Sequence, residues 1–223
     1  MCGRYSLTSA PEAMRQLFDL DGPLLNLAPR YNIAPTQEAP VIRAGSGGGR
    51  ELAMLRWGLV PSWSKDGPDS GYSMINARAE TVAEKPAYRA AFRDRRCLVP
   101  ADGFYEWKKE GKGKQPFRFT MADAAPFVMA GLWEGWRRPD GGMLQSFTII
   151  VTAPNSLVAQ VHDRMPAILD RAGAARWLAG GSRDAMLALL VPFPPERMAV
   201  VMVGKRVNSP ANDDPSVIEP VSA

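Results

Sequence analysis

Two cysteines, Cys2 and Cys97, and a single histidine, His162, are all that the chain offers of the residues best suited to metals and crosslinks. Residues so few and so widely spaced exclude a disulfide framework and supply no ligand set with zinc-site spacing. No metal and no cofactor are expected, and a reducing cytoplasm is the simplest compartment. No apolar run approaches the ~18–20 residues that cross a bilayer, so no membrane partner is expected. The opening Met-Cys-Gly-Arg-Tyr-Ser also lacks the basic and then apolar pattern of a secretory signal. Nothing marks a dimer seam, which leaves a monomer as the expectation.

What is present suits an ordinary globular protein. At 223 residues, with 46% hydrophobic and 22% charged side chains, the chain is long enough to bury a core. The net charge of +4 and pI of about 9.2 are compatible with a polyanionic partner without demonstrating one.

Short strands alternate with a few short helices. Ser9-Ala10-Pro11-Glu12 has the pattern of a capping box opening a helix to Leu20, with Leu17, Phe18 and Leu20 on its buried face. Ala39 to Ala44 and Glu51 to Gly58 read as a hairpin across Ser46-Gly47-Gly48-Gly49. Gly103 to Lys108 pairs with Gln115 to Met121 across the polar tip Glu110-Gly111-Lys112-Gly113-Lys114. Phe127 to Trp136 pairs with Met143 to Thr152 across Arg138-Pro139-Asp140-Gly141-Gly142. The β-branched run Phe147 to Thr152 suits a central strand buried on both faces. Helices are expected at Pro86 to Arg95, Asn155 to Val161, Ala172 to Leu178 and Arg183 to Leu190, and a strand at Met198 to Val203. The result is an α+β chain in one domain, a mainly antiparallel sheet curled or barrel-like and flanked by short helices. Its core covers about 2–205, and the tail over about 206–223 reads as loop from Asn208 onward.

Four places could carry chemistry. If Met1 is removed, Cys2 becomes an N-terminal residue with an α-amine and a thiol on adjacent carbons. The amine has a reference pKa of roughly 7.7–8.0 and the thiol about 8.5, so both have reactive fractions at neutral pH. An aldehyde can form an imine with the amine, and the thiol then closes a five-membered ring. Such a cysteine can equally be incidental to a frayed terminus. Ile75-Asn76-Ala77-Arg78-Ala79-Glu80-Thr81 gathers amide, guanidinium and carboxylate, or else is a helix start capped by Asn76. Glu106 sits between Tyr105 and Trp107; facing inward it suits a general acid, facing outward it is a surface glutamate. His162 precedes Asp163-Arg164-Met165-Pro166, a way to fix an imidazole at a pocket rim. Cys97, in an apolar strand, reads as an inert buried thiol.

Six segments in order resemble the SRAP family. They are Met1-Cys2-Gly3-Arg4-Tyr5, Arg30-Tyr31-Asn32-Ile33-Ala34-Pro35 and Trp57-Gly58-Leu59-Val60-Pro61. After these come Ile75 to Thr81, Ala101-Asp102-Gly103-Phe104-Tyr105-Glu106-Trp107 and Val161-His162-Asp163-Arg164-Met165-Pro166. The resemblance implies a thiazolidine between the N-terminal cysteine and the ring-opened sugar of an abasic site in single-stranded DNA. It implies Cys2 as nucleophile and Glu106 as acid and base. His162 would assist imine formation and reversal, and Asn76 would hold the adduct. Arg4 and Arg78 match phosphate-holding positions, Pro40 and Thr152 groove positions, and Trp63 a base-stacking wedge. Some bacterial relatives carry a tryptophan pair there, whereas this chain reads Pro61-Ser62-Trp63-Ser64. One base stacked on an aromatic is worth roughly 1–3 kcal/mol, so weaker wedging is expected with the covalent chemistry intact. The partners implied are single-stranded DNA with abasic sites and, through it, replication-fork proteins.

Three other readings compete. An N-terminal-nucleophile amidohydrolase would also begin Met-Cys-Gly, its thiol attacking a glutamine amide. A noncovalent single-strand binder would need no nucleophile. The family's naming also raises a peptidase that processes its own N-terminus, for which the ordinary methionine aminopeptidase is the simpler agent.

Overall fold

The computed structural model describes residues 2–21, 26–45, 47–68, 74–111 and 113–221. Met1, Ser46 and Lys112, named in the expectations above, lie outside these residues.

Two sheets share the core. The first contains β3 (Glu38–Ala44), β4 (Arg50–Trp57), β6 (Arg96–Ala101), β9 (Phe127–Arg137) and β10 (Met143–Thr152). Pairing runs β10-β4-β3-β6-β9, and β9 pairs again with β10, so five strands close a ring. The expected barrel-like curl is thus present. The ring closes through a short parallel contact, Ser146 beside Arg56 and Phe147 beside Trp57. A further short strand, β5 (Asn76–Arg78), lies parallel to β10 with Asn76 opposite Ile149. From Ser146 to Thr152 every residue of β10 is buried, as its β-branched run predicts.

The second sheet, antiparallel throughout, comprises β1 (Tyr5–Leu7), β2 (Arg30–Ile33), β7 (Gly103–Glu110), β8 (Gly113–Met121) and β11 (Met198–Met202) in the order β11-β8-β7-β1-β2. The chain passes between sheets at Asp102, where β6 turns into β7. Its buried carboxylate accepts from Ser6 Oγ (2.6 Å), Thr8 Oγ1 (2.7 Å), the Ser9 amide (3.0 Å), the Thr8 amide and Arg118 Nη2 (3.1 Å). One side chain therefore staples β1 to the corner. Gly103 is needed there, because a Cβ would stand 2.6 Å from Arg118 Nε.

That carboxylate also overturns the expected capping box. The Ser9 amide donates to Asp102 and its hydroxyl lies 3.4 Å from the same oxygen, so helix α1 (Pro11–Phe18) starts at Ala10 with no side-chain cap. Met14 and Phe18 form its buried face, with Leu20 beyond it, while Leu17 is exposed rather than buried. All three hairpins form, their strands reaching to Glu110 and Gly113 at one tip and to Arg137 at another.

The helices are shorter than periodicity suggests. The segment expected as helix from Pro86 is helical only as α2 (Arg89–Asp94), and Arg183 to Leu190 only as α4 (Arg183–Leu187). The Ala172 helix forms as α3 (Arg171–Ala179), capped by Asp170. Asn155 to Val161 gives a single 3-10 turn, Val158–Gln160, because the Asn155 side chain takes the Val158 amide and donates to Phe193 O.

The tail is no loose loop. It makes 3-10 turns at Lys205–Asn208 and Pro215–Val217 and buries Val207 and Val217 against Tyr105. Buried Asn32 donates to the carbonyls of Val207, Ser209 and Asn212 at 3.2, 2.9 and 2.8 Å, fastening the tail over β2.

Candidate active site

Side chains alternate across a strand, so Phe104 and Glu106 of β7 share one face while Tyr105 and Trp107 share the other. Phe104 packs on Phe119 in the main core, with ring centroids 5.0 Å apart, which turns Glu106 inward. The tail covers the opposite face: Tyr105 packs with Val203 and Val207, and Trp107 donates to Asn208 Oδ1 at 2.7 Å. Of the two orientations open to Glu106, the fold takes the buried one, leaving it 2% exposed. Loss of hydration pushes its carboxyl up to about 7 from an ordinary 4.5. Near neutral pH it is therefore an acid and a base in comparable amounts.

Three other segments meet it. His162 follows the 3-10 turn, with Nε2 3.8 Å from Glu106 Oε2. Burial lowers the imidazole pKa, so it is mainly neutral at pH 7. Its Nδ1 lies 3.1 Å from the Arg164 amide and 3.0 Å from Asp163 Oδ1, contacts that ask for opposite protonation states of that nitrogen. In the neutral ring the backbone donor decides, since the Asp163 side chain is 87% exposed and water screens it. Nε2 then carries the proton and presents it toward Glu106. Arg164 in turn pairs with Glu80 at 2.5 Å, joining the histidine loop to the segment after β5.

Cys2 enters from β1 and is completely buried. Asn76 Nδ2 donates to Cys2 O at 2.8 Å. Asn76 Oδ1 is buried with no hydrogen-bond partner among the described residues, leaving an acceptor beside Cys2. Asn76 caps no helix; it opens β5, and Tyr88 Oη donates to its carbonyl at 3.3 Å. Burial, followed by the charge of Glu106, pushes the Cys2 thiol far above its ordinary value. Burial therefore disfavours the thiolate in the folded chain. Cys97 is also buried and pushed up by desolvation, as an inert thiol should be.

The groups expected to hold DNA are scattered. Arg78 shares a face of β5 with Asn76 two residues away and is exposed. Trp63 is 63% exposed on the turn after Pro61, a turn anchored where Trp136 Nε1 donates to Ser64 O at 2.8 Å. Arg4 donates to Asn32 Oδ1 (3.2 Å), Val207 O (2.7 Å) and Asn208 O (3.3 Å), so much of its fork binds the tail. Two of the expected groove positions are buried. Pro40 is buried in β3, where it is tolerated because β6 pairs only with the later residues Ile42 and Arg43. Thr152 is buried and donates to Leu190 O at 3.0 Å.

Sequence reasoning missed Asp102, Asn32 and Tyr88 as parts of this arrangement. Asn32 and Asp102 do lie in the segments that carry the resemblance, but a motif does not name a partner as distant as Asn212 is from Asn32, 180 residues away.

Known proteins resemble the chain over almost its whole length. A family model described as SOS response associated peptidase (SRAP) matches residues 1–210. The chain is 42% identical over 224 residues to the abasic site processing protein YoqW of Bacillus subtilis (strain 168), covering 98% of this chain and 99% of that protein. It is 34% identical over 258 residues to the abasic site processing protein HMCES of Xenopus tropicalis, covering 96% and 77%. A crystal structure of a protein from Bacteroides thetaiotaomicron matches with a TM-score of 0.88 at 29% identity, covering 99% of this chain and 100% of that one.

Proposed function

The chain belongs to the SRAP family, and on that premise we propose that it processes abasic sites in DNA by capturing them covalently on Cys2 once Met1 has been removed. The observation that carries this reading is the meeting of Cys2, Asn76, Glu106 and His162 from four separate segments. An amine, a thiol, an amphoteric carboxyl and a neutral imidazole are what imine and thiazolidine chemistry asks for.

The order of events follows from the electrostatics. Burial disfavours the thiolate, which leaves the α-amine as the first nucleophile. Its nitrogen bonds to C1′ of the ring-opened sugar, the carbonyl oxygen takes up protons, and one water leaves to give the imine. Glu106, poised at about 7, removes a proton from nitrogen and returns one to the departing oxygen. The thiol then adds to the imine carbon; a carbon–sulfur bond forms and the S–H proton passes to nitrogen. The ring closes with a net loss of one water, and adding that water back reverses it. His162, with its Nε2 proton toward Glu106, relays protons in both directions. Asn76 holds Cys2 through the backbone carbonyl and offers Oδ1 to the new N–H.

DNA binding rests on exposed Arg78 and Trp63, with Arg4 anchoring the strand that carries Cys2. Phosphate contacts of this kind fix register without reading sequence, which suits a lesion that has no base. On this reading the protein acts in DNA repair as a monomer, with single-stranded DNA as its partner. An amidohydrolase would use the thiol as its first nucleophile on a glutamine amide; similarity to abasic site processing proteins favours the DNA substrate instead.

Incubation with single-stranded DNA bearing one abasic site, followed by a denaturing gel, tests the proposal. A shifted band for the mature protein and none for Cys2→Ala supports it. Ammonia release from glutamine with no shifted band would transfer the site to amide chemistry.

A further inference from the structure

A second concentration of charge lies outside the residues used above. Between α2 and α4 a cavity of about 710 Å³ is lined by Arg89, Arg93, Arg96 and Arg183 over Phe92 and Met186. Its inner cation is Arg96. Nε donates to Trp177 O at 2.7 Å, and Nη1 donates to Phe92 O and Arg93 O at 2.6 and 2.7 Å. These bonds lock the guanidinium in place, and it lies over the Trp177 ring at 5.9 Å. No carboxylate stands within ion-pair distance of it among the described residues. The chain also makes room for Nη2: a Cβ on Gly180 would stand 2.4 Å from it, and Gly180 has φ +83. Asp94 acts on this half-buried, immobilised cation only from beyond ion-pair distance, and the cation's hydrogen bonds among the described residues all go to carbonyls.

The rim is adjustable. Arg93 and Arg183 are 78% and 57% exposed and pair with Asp94 and Glu84 at 2.9 and 2.8 Å. Exposed pairs like these are worth little and release their arginines readily. Arg89 is exposed and has no ion pair among the described residues. Guanidinium forks bind phosphates, their flat faces stack on bases, and an apolar floor suits a base or sugar edge. Tyr88, the residue before Arg89, donates through its hydroxyl to Asn76 O, which ties the start of α2 to the site.

We propose that this arginine cavity is an accessory nucleotide site that holds a phosphate and base of the captured strand, beyond the abasic residue. This rests on the proposed handling of single-stranded DNA. The site lengthens the footprint of the protein and takes no part in the covalent steps.

The test uses undamaged oligothymidylate, so that binding is read apart from capture. Strands of about 6 and about 20 nucleotides bracket the footprint of a short and an extended contact. Arg89→Gln combined with Arg93→Gln removes two exposed charges without touching Arg96 or its buried bonds. The double variant should bind the long strand several-fold more weakly than wild type and bind the short one equally. Its slope of log affinity against log salt on the long strand should fall by about 0.7 for each phosphate contact removed. Capture of an abasic site at saturating DNA should keep its wild-type rate. Equal weakening for both lengths, or for neither, overturns the accessory site. Saturable binding of thymidine 5′-monophosphate that the double variant loses, with long-strand affinity unchanged, also overturns it by making the cavity a free-nucleotide site. Failure of wild type to bind either strand would instead count against the DNA-handling reading itself.

Discussion

Glu106→Gln should make the protein more stable at alkaline pH while disabling it. The carboxyl has its pKa raised from 4.5 to about 7 by burial, so the folded chain keeps a proton that the unfolded chain loses. The stability contributed by that proton is fully present below pH 4.5 and is lost as pH rises through 7. At 1.36 kcal/mol per unit, a shift of roughly 2.5 units amounts to about 3 kcal/mol. Glutamine has nearly the same shape and nothing to titrate, so the variant escapes this loss. Urea unfolding of both proteins from pH 4.5 to 8.5 measures it. The variant should gain on wild type by about 3 kcal/mol across that window, with most of the gain between pH 5 and 7. Adduct formation should fall by roughly 10²–10⁴, the usual contribution of a general acid–base group. Parallel stability curves for the two proteins would refute the buried, titrating carboxyl and with it the proton-transfer role.

Other perturbations separate structural from functional residues. Asn32→Ala strips donors from the carbonyls of Val207, Ser209 and Asn212 and should lower unfolding stability by about 2–4 kcal/mol, loosening the tail first in hydrogen exchange. Asp102→Ala leaves Arg118, 13% exposed, without its carboxylate and should destabilise by roughly 3–5 kcal/mol in the same assay. Trp63→Ala should leave the thermal midpoint unchanged, because the ring is 63% exposed, yet weaken noncovalent binding to single-stranded DNA by about 1–3 kcal/mol.

Strands proved easier to read from the sequence than helices, for a physical reason. Each hairpin carries its turn chemistry and alternation within some twenty residues, and the run from Phe147 to Thr152 announces its own burial. The helices are short, and long-range polar contacts decide where they start. Ser9 abandons α1 for Asp102, and the Asn155 side chain ties its turn to Phe193. The residues of the site were legible as motifs, but their geometry was not. Nothing local says that Glu106 faces inward; that follows from Phe104 packing on Phe119 and from a tail that covers the other face. Pro40 and Thr152 show the converse, since a position matched by resemblance says nothing about whether its side chain reaches a surface.

The central claim is that the bond to DNA forms at the amine and thiol of Cys2. Mass spectrometry of the captured complex after proteolysis tests it most directly. The account predicts that the DNA remnant sits on a peptide beginning with Cys2, with the mass of peptide plus abasic sugar minus one water. It also predicts that the adduct survives without borohydride. A remnant found on a lysine, or an adduct seen only after borohydride reduction, would contradict it.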